Sequence, residues 1–199
     1  MINTTWFSPA KINLFLYVTG IRSDGYHYIQ TFLQLLDYGD TLKIIPNQTG
    51  FIQIFNEKKI FLNVDNIIFR AAALLKKQAL ILKKKHALNY GVKIFLKKRL
   101  PIGSGLGGGS SNAATTLIVL NKLWNVQLTL KELSSLGVKV GADIPFFIMG
   151  HTALAEGIGD VLYPIKSQKK WYLVVYPNIP ILTRNIFSNP LLRIKKKTY

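Results

Sequence analysis

Between Ala10 and Val18 an apolar residue stands at every second position, which is the period of a strand. That spacing sets Ile12, Leu14, Leu16 and Val18 on one face and Lys11, Asn13, Phe15 and Tyr17 on the other. Lys11 and Asn13 therefore point the same way, and the plain expectation for them is an exposed strand end. A turn at Ser23-Asp24-Gly25, followed by Tyr26-His27, leads to a second strand over residues 28–36. Residues 41–45 and 51–55 predict two more strands across the turn-forming Pro46-Asn47-Gln48-Thr49-Gly50. Asn66 is placed to cap a helix from Ile67 to about Ile81, with Ile68, Ala71, Ala72, Leu75 and Leu80 on or near its core face. Lys83 to His86 follow with positive charge, which suits a helix C-terminus. Farther on, residues 92–96 predict a strand and 112–120 a helix. Residues 129–136 predict a short helix capped by Gly137, and 172–176 a last strand.

Composition narrows the class. A hydrophobic share of 49% in 199 residues argues against disorder and gives one domain, or one and part of another. With no cysteine there are no disulfides and no thiolate metal sites. No apolar run reaches the length of a membrane span, and residues 1–7 lack the basic and apolar regions of an export signal, so the expected compartment is the cytoplasm. Lysine and arginine number 26 against 9 acids, a net charge of +17 that raises nucleic acid as a partner. The charge comes in short lysine bursts with little aromatic interleaving and no nucleic-acid module, so no specific nucleic-acid partner is expected.

The stretch Pro101-Ile102-Gly103-Ser104-Gly105-Leu106-Gly107-Gly108-Gly109-Ser110-Ser111 is rich in glycine, carries no charge, and joins the strand at 92–96 to the helix at 112–120. Glycines let successive backbone N–H groups turn toward one anion, and the helix start behind them adds unpaired donors, so phosphate is the expected guest. The Walker pattern fails, because Gly109 stands where lysine belongs. Gly103, Gly105 and Gly108 match the dinucleotide fingerprint, which leaves a nicotinamide-dependent oxidoreductase as an alternative. A second unusual feature is Asp143, the one charge in Val140-Gly141-Ala142-Asp143-Ile144-Pro145-Phe146-Phe147. Burying it is costly without a partner. It is either an N-cap ahead of Pro145 or a carboxylate beside a lysine, with Lys11 the candidate partner.

Pro101, Gly105, Leu106, Ser110 and Ser111 also fit P-x-x-x-G-L-x-x-x-S-S, which resembles the signature loop of the GHMP family of small-molecule kinases. The resemblance extends through Ser8-Pro9-Ala10-Lys11-Ile12-Asn13, Asp24-Gly25-Tyr26-His27, Asp37-Tyr38-Gly39-Asp40 and Gly141-Ala142-Asp143-Ile144-Pro145, in family order, from near Trp6 to about Phe187. It implies an α+β fold, with residues 1–165 as the N-terminal ATP-binding domain and 166–199 as the start of an incomplete C-terminal domain. The order of segments is that of members of the non-mevalonate isoprenoid pathway, whose substrate is a cytidine diphosphate-linked methylerythritol. The resemblance further implies Lys11 and Asp143 as the catalytic pair, 101–111 as the ATP loop, and Ser110 or Ser111 as a Mg²⁺ ligand. Asn13, Tyr26, His27 and Phe187 would hold the substrate, although Arg184 takes a position commonly proline in relatives. Because the chain stops at Tyr199, ahead of the family's second glycine-rich motif, it is expected to be a poor kinase alone. A kinase remnant without turnover, or a basic RNA-binding or scaffold protein, is the alternative from another class.

Overall fold

A computed structural model of the protein describes residues 4–56, 59–61, 65–179, 186–187, 189 and 191–195. Two long strands, β1 (Thr5–Ile21) and β2 (His27–Asn47), form an antiparallel ladder from the pair Ile21 and His27 past the pair Lys11 and Leu35. The chain continues through β3 (Ile52–Asn56), β4 (Lys59–Phe61), α1 (Ile67–Ile81), β5 (Gly91–Lys97) and α2 (Gly108–Leu123). It then forms α3 (Leu130–Val138), α4 (Ile144–Met149), β6 (Ala153–Glu156) and β7 (Val161–Pro164). These strands make one sheet in the order β4-β3-β5-β2-β6-β7, with β1 against the other side of β2. Leu42, Ile44, Ile54, Val92 and Ile94 are fully buried in the core shared with the helices, while the alternate Lys43, Lys93 and Lys97 face out. The fold is α+β, as expected.

Among the described residues, only β3 and β5 run parallel in this sheet. A dinucleotide fold needs a parallel sheet wound on both faces, so the topology removes the nicotinamide alternative.

Several local expectations change. The strands expected at 28–36 and 41–45 are a single β2, because Asp37 and Tyr38 are taken up in a bulge where Pro9 pairs with Gly39 and Ala10 with Leu36. Gly39 makes the bulge possible, since a Cβ there would fall 2.0 Å from the Ser8 carbonyl oxygen. The two-faced reading of β1 also fails. Leu14 and Leu16 are 47% and 43% exposed, whereas Lys11, expected at an exposed strand end, is only 7% exposed. The ladder shifts at Pro9/Ala10, where two extra residues stand in β2, and at Asn13/Phe15 and Val18/Gly20, where one extra residue stands in β1; each one-residue slip turns the following side chains to the opposite face, so a single alternation does not run through the strand.

In α1, Asn66 Oδ1 accepts a hydrogen bond from the Ile68 N–H, as expected of an N-cap. Ala79 rather than Leu80 completes its buried stripe. Helix α2 begins at Gly108, so the last glycines of the loop form its first turn. Gly137 lies inside α3 instead of capping it, because Ile144 of α4 packs where a side chain would go. Thr129 caps α3 at its other end and shares a capping box with Glu132. Residues 172–176 form no strand, and Trp171 and Leu173 stand exposed with no ladder partner among the described residues.

Candidate active site

Strand β1, the loop after β5, the first turn of α2 and the start of α4 meet around a cleft of about 1070 Å³. The loop leaves β5 and bends through positive φ at Gly103, Gly105 and Gly107. Gly107 is required twice over. Its φ is 71°, and a Cβ would lie 2.8 Å from Phe147 Cζ and 3.0 Å from Lys11 Cγ. No side chain caps α2, so the amides of its first turn are left for a ligand. Nine of the eleven loop residues, Pro101 to Gly105 and Gly107 to Ser110, line the cleft. Leu106 instead accepts a hydrogen bond at its carbonyl from the Lys11 N–H, 3.0 Å away, which ties the loop to β1.

Lys11 and Asp143 meet. Lys11 Nζ lies 3.7 Å from Asp143 Oδ2, with the lysine buried and the carboxylate 40% exposed to the cleft. The same ammonium donates to Asn13 Oδ1 at 2.6 Å, whose Nδ2 donates to Thr31 Oγ1 at 2.8 Å. The Thr31 hydroxyl in turn donates to the Phe15 carbonyl at 2.5 Å. Lys11 is thus aimed from its own strand and from β2. Asp143 occupies the N-cap position of α4, yet its side chain makes no capping bond. Its carboxylate is turned toward Lys11 and the cleft.

At the cleft's far end Tyr26 is 60% exposed, and the His27 and Phe187 rings lie 5.1 Å apart with a 34° tilt. Arg184 lies outside the described residues. The two adjacent serines that end the loop part company. Ser111 is fully buried and accepts from Ser8 Oγ at 2.9 Å, so Ser110 is the one that faces the cleft.

Sequence reasoning gave no role to Asp40. Its carboxylate is fully buried beside the loop. Oδ1 accepts from the backbone N–H groups of Arg99 at 2.7 Å and Leu100 at 2.8 Å. Oδ2 accepts from Lys98 Nζ at 2.5 Å and Asn112 Nδ2 at 2.9 Å. Burial pushes the Asp40 pKa up, but the bonds from Leu100, Lys98, Arg99 and Asn112 outweigh it and hold the carboxyl below its usual 3.8. The signal in the sequence was an acid next to a glycine at a strand break, which also describes any turn.

A model of the GHMP kinases N terminal domain matches residues 66–151. The 4-diphosphocytidyl-2-C-methyl-D-erythritol kinase of Buchnera aphidicola subsp. Schizaphis graminum (strain Sg) is 63% identical over 198 residues, covering 100% of this chain and 67% of that protein. The chain belongs to the GHMP kinase family. A second GHMP kinase of the same name, from Buchnera aphidicola subsp. Acyrthosiphon pisum (strain APS), is 68% identical over 188 residues, 94% of this chain and 66% of the relative. The chain therefore spans about two thirds of the length of the curated relatives it matches. A crystal structure of 4-(cytidine 5'-diphospho)-2C-methyl-D-erythritol kinase superposes with a TM-score of 0.72 at 32% identity, over 92% of this chain and 63% of that one. The Methanococcus jannaschii mevalonate kinase, at 21% identity and a TM-score of 0.56 over 82% of this chain and 56% of its own, shares the fold. No helix among the described residues is long and apolar enough to cross a membrane.

Proposed function

We propose that the protein transfers the γ-phosphoryl group of ATP to a hydroxyl of 4-diphosphocytidyl-2-C-methyl-D-erythritol, in the non-mevalonate isoprenoid pathway of the cytoplasm. The observation that carries this reading is the Lys11–Asp143 pair, set beside the glycine loop in a cleft whose other end is walled by Tyr26, His27 and Phe187. Residues 1–165 then form the ATP-binding unit, and residues 166–199 open a second one.

Phosphoryl transfer asks little covalent chemistry of a protein, so positioning and charge do most of the work. The loop amides and the α2 N-terminus hold the phosphates. Tyr26 and Phe187 offer aromatic faces to the cytosine, and Asn13 lines the path between base and reacting hydroxyl. Asp143 orients that hydroxyl and takes its proton as the oxygen bonds to the γ-phosphorus. The β–γ bridging P–O bond breaks, and ADP leaves with the electron pair. Lys11 offsets the negative charge that grows on the transferred group. The cleft also fits Mg²⁺ carried on the nucleotide, because such an ion needs only one or two protein oxygens besides phosphate, and the Ser110 hydroxyl faces the cleft. When bound, it would neutralise phosphate charge.

Asp143→Asn should leave ATP affinity nearly intact and lower turnover by roughly 10²–10⁴, about 3–5 kcal/mol of barrier. Lys11→Met should lower turnover as well, and the double variant should be no worse than the poorer single one, because the two act as a unit. Turnover can be followed by phosphorus NMR of the product, and ATP affinity by fluorescence of a labelled nucleotide. Normal turnover in Asp143→Asn would remove the assignment.

A further inference from the structure

The glycine loop has few internal ties. Ser104 Oγ donates to the Pro101 carbonyl at 2.8 Å, and the Leu106 carbonyl is held by Lys11. What fixes its path is therefore the anchoring of its two ends, and both ends converge on one side chain. Asp40 receives Arg99 and Leu100 where the chain enters the loop and Asn112 where it leaves through the first turns of α2, residues 59, 60 and 72 positions away in sequence. Lys98 closes the arrangement. Its ammonium lies between Asp40 and α2, so near Gly108 that a Cβ there would fall 2.9 Å from Nζ. The neighbouring strand adds a parallel tie, since Ser8 pairs with Asp40 across the ladder and bonds Ser111.

We propose that Asp40 is a positioning residue for the phosphates of the nucleotide, setting the loop amides by fixing both ends of the loop without touching the ligand itself. The inference rests on the kinase reading. A carboxylate is needed here because all four of its partners are donors. An asparagine at this position has one acceptor oxygen and one NH₂ group. Whichever way it turns, the NH₂ faces two donors, either Lys98 and Asn112 or the amides of Arg99 and Leu100. One end of the loop is then released, and amides that must converge on an anion lose their preset aim.

The test compares two ligands that differ only in their phosphates. ATP and adenosine are titrated by NMR against the whole 199-residue chain and its variants, at a temperature where circular dichroism shows each folded. Asp40→Asn should weaken ATP by about tenfold or more, as expected for lost hydrogen bonds to a charged group, and leave adenosine within about twofold. Lys98→Met, at a partly exposed position that also lines the cleft, removes one donor from Asp40 and should shift the ratio of ATP to adenosine affinity in the same direction. An unchanged ratio in Lys98→Met, or ATP and adenosine weakened alike in a folded Asp40→Asn, would overturn the positioning role. Failure of the unaltered chain to bind ATP at all would instead overturn the kinase reading beneath it.

Discussion

At Asp40 two effects oppose each other. Burial alone penalises the ionised form, and the four donors more than repay it, so the folded pKa lies below the ordinary 3.8. A depressed carboxyl pKa contributes stability that is fully present above the unfolded value and is lost as pH falls through the folded one. The stability gap between the unaltered chain and Asp40→Asn, measured by urea unfolding, should thus be constant from about pH 5 to pH 8 and close below about pH 4. A gap just as wide at pH 3 would contradict this. The other charged residues of the site were easier to read from sequence. Asp143 announced itself as a lone charge in an apolar run, because burying it requires a partner, whereas Lys11, expected at an exposed strand end, entered only as the candidate for that partner. Asp40 gave no such sign, since its partners are spread over residues 98–112 and only the closed sheet brings them to it. The division of labour between Ser110 and Ser111 was hidden for the same reason, as the hydroxyl that claims Ser111 comes from β1.

Among the elements, helices were more legible than strand faces. Helix starts carry local signals, and Asn66 makes the capping bond its position suggests. Asn66→Ala should cost about 1 kcal/mol of stability, within the 0.5–2 kcal/mol typical of a lost N-cap, as read from chemical unfolding. Asn66 and Ile67 also line the cleft, so the same variant should weaken ATP binding; a variant as stable as the original would show that water replaces the cap without loss. The strands carry no comparable marker. A bulge that inserts one residue inverts everything after it, so the two such bulges in β1, at Asn13/Phe15 and Val18/Gly20, defeated an alternation that was regular in the sequence.

For the molecule as a whole, the fold and its family were legible because the motifs kept their order along the chain, whereas residues 165–179 were not, since a strand forms only with a partner to bond. The ladder of β1 and β2 connects the two ends of the cleft. His27 marks the aromatic end and Leu35, opposite Lys11, the end at the glycine loop, eight residues apart on one strand or on the order of 26 Å of backbone at the usual rise. A hydrogen-bonded ladder does not stretch, so under the proposed function this pair of strands would set the length of substrate that fits. A cytidine alcohol joined through one phosphate instead of two should still compete for the aromatic end, yet leave its hydroxyl short of Asp143. Competition with turnover lowered at least about a hundredfold is the expected result, the cost of misplacing a reacting group by about an ångström. Equal turnover of the two compounds would mean that the cleft does not discriminate by length.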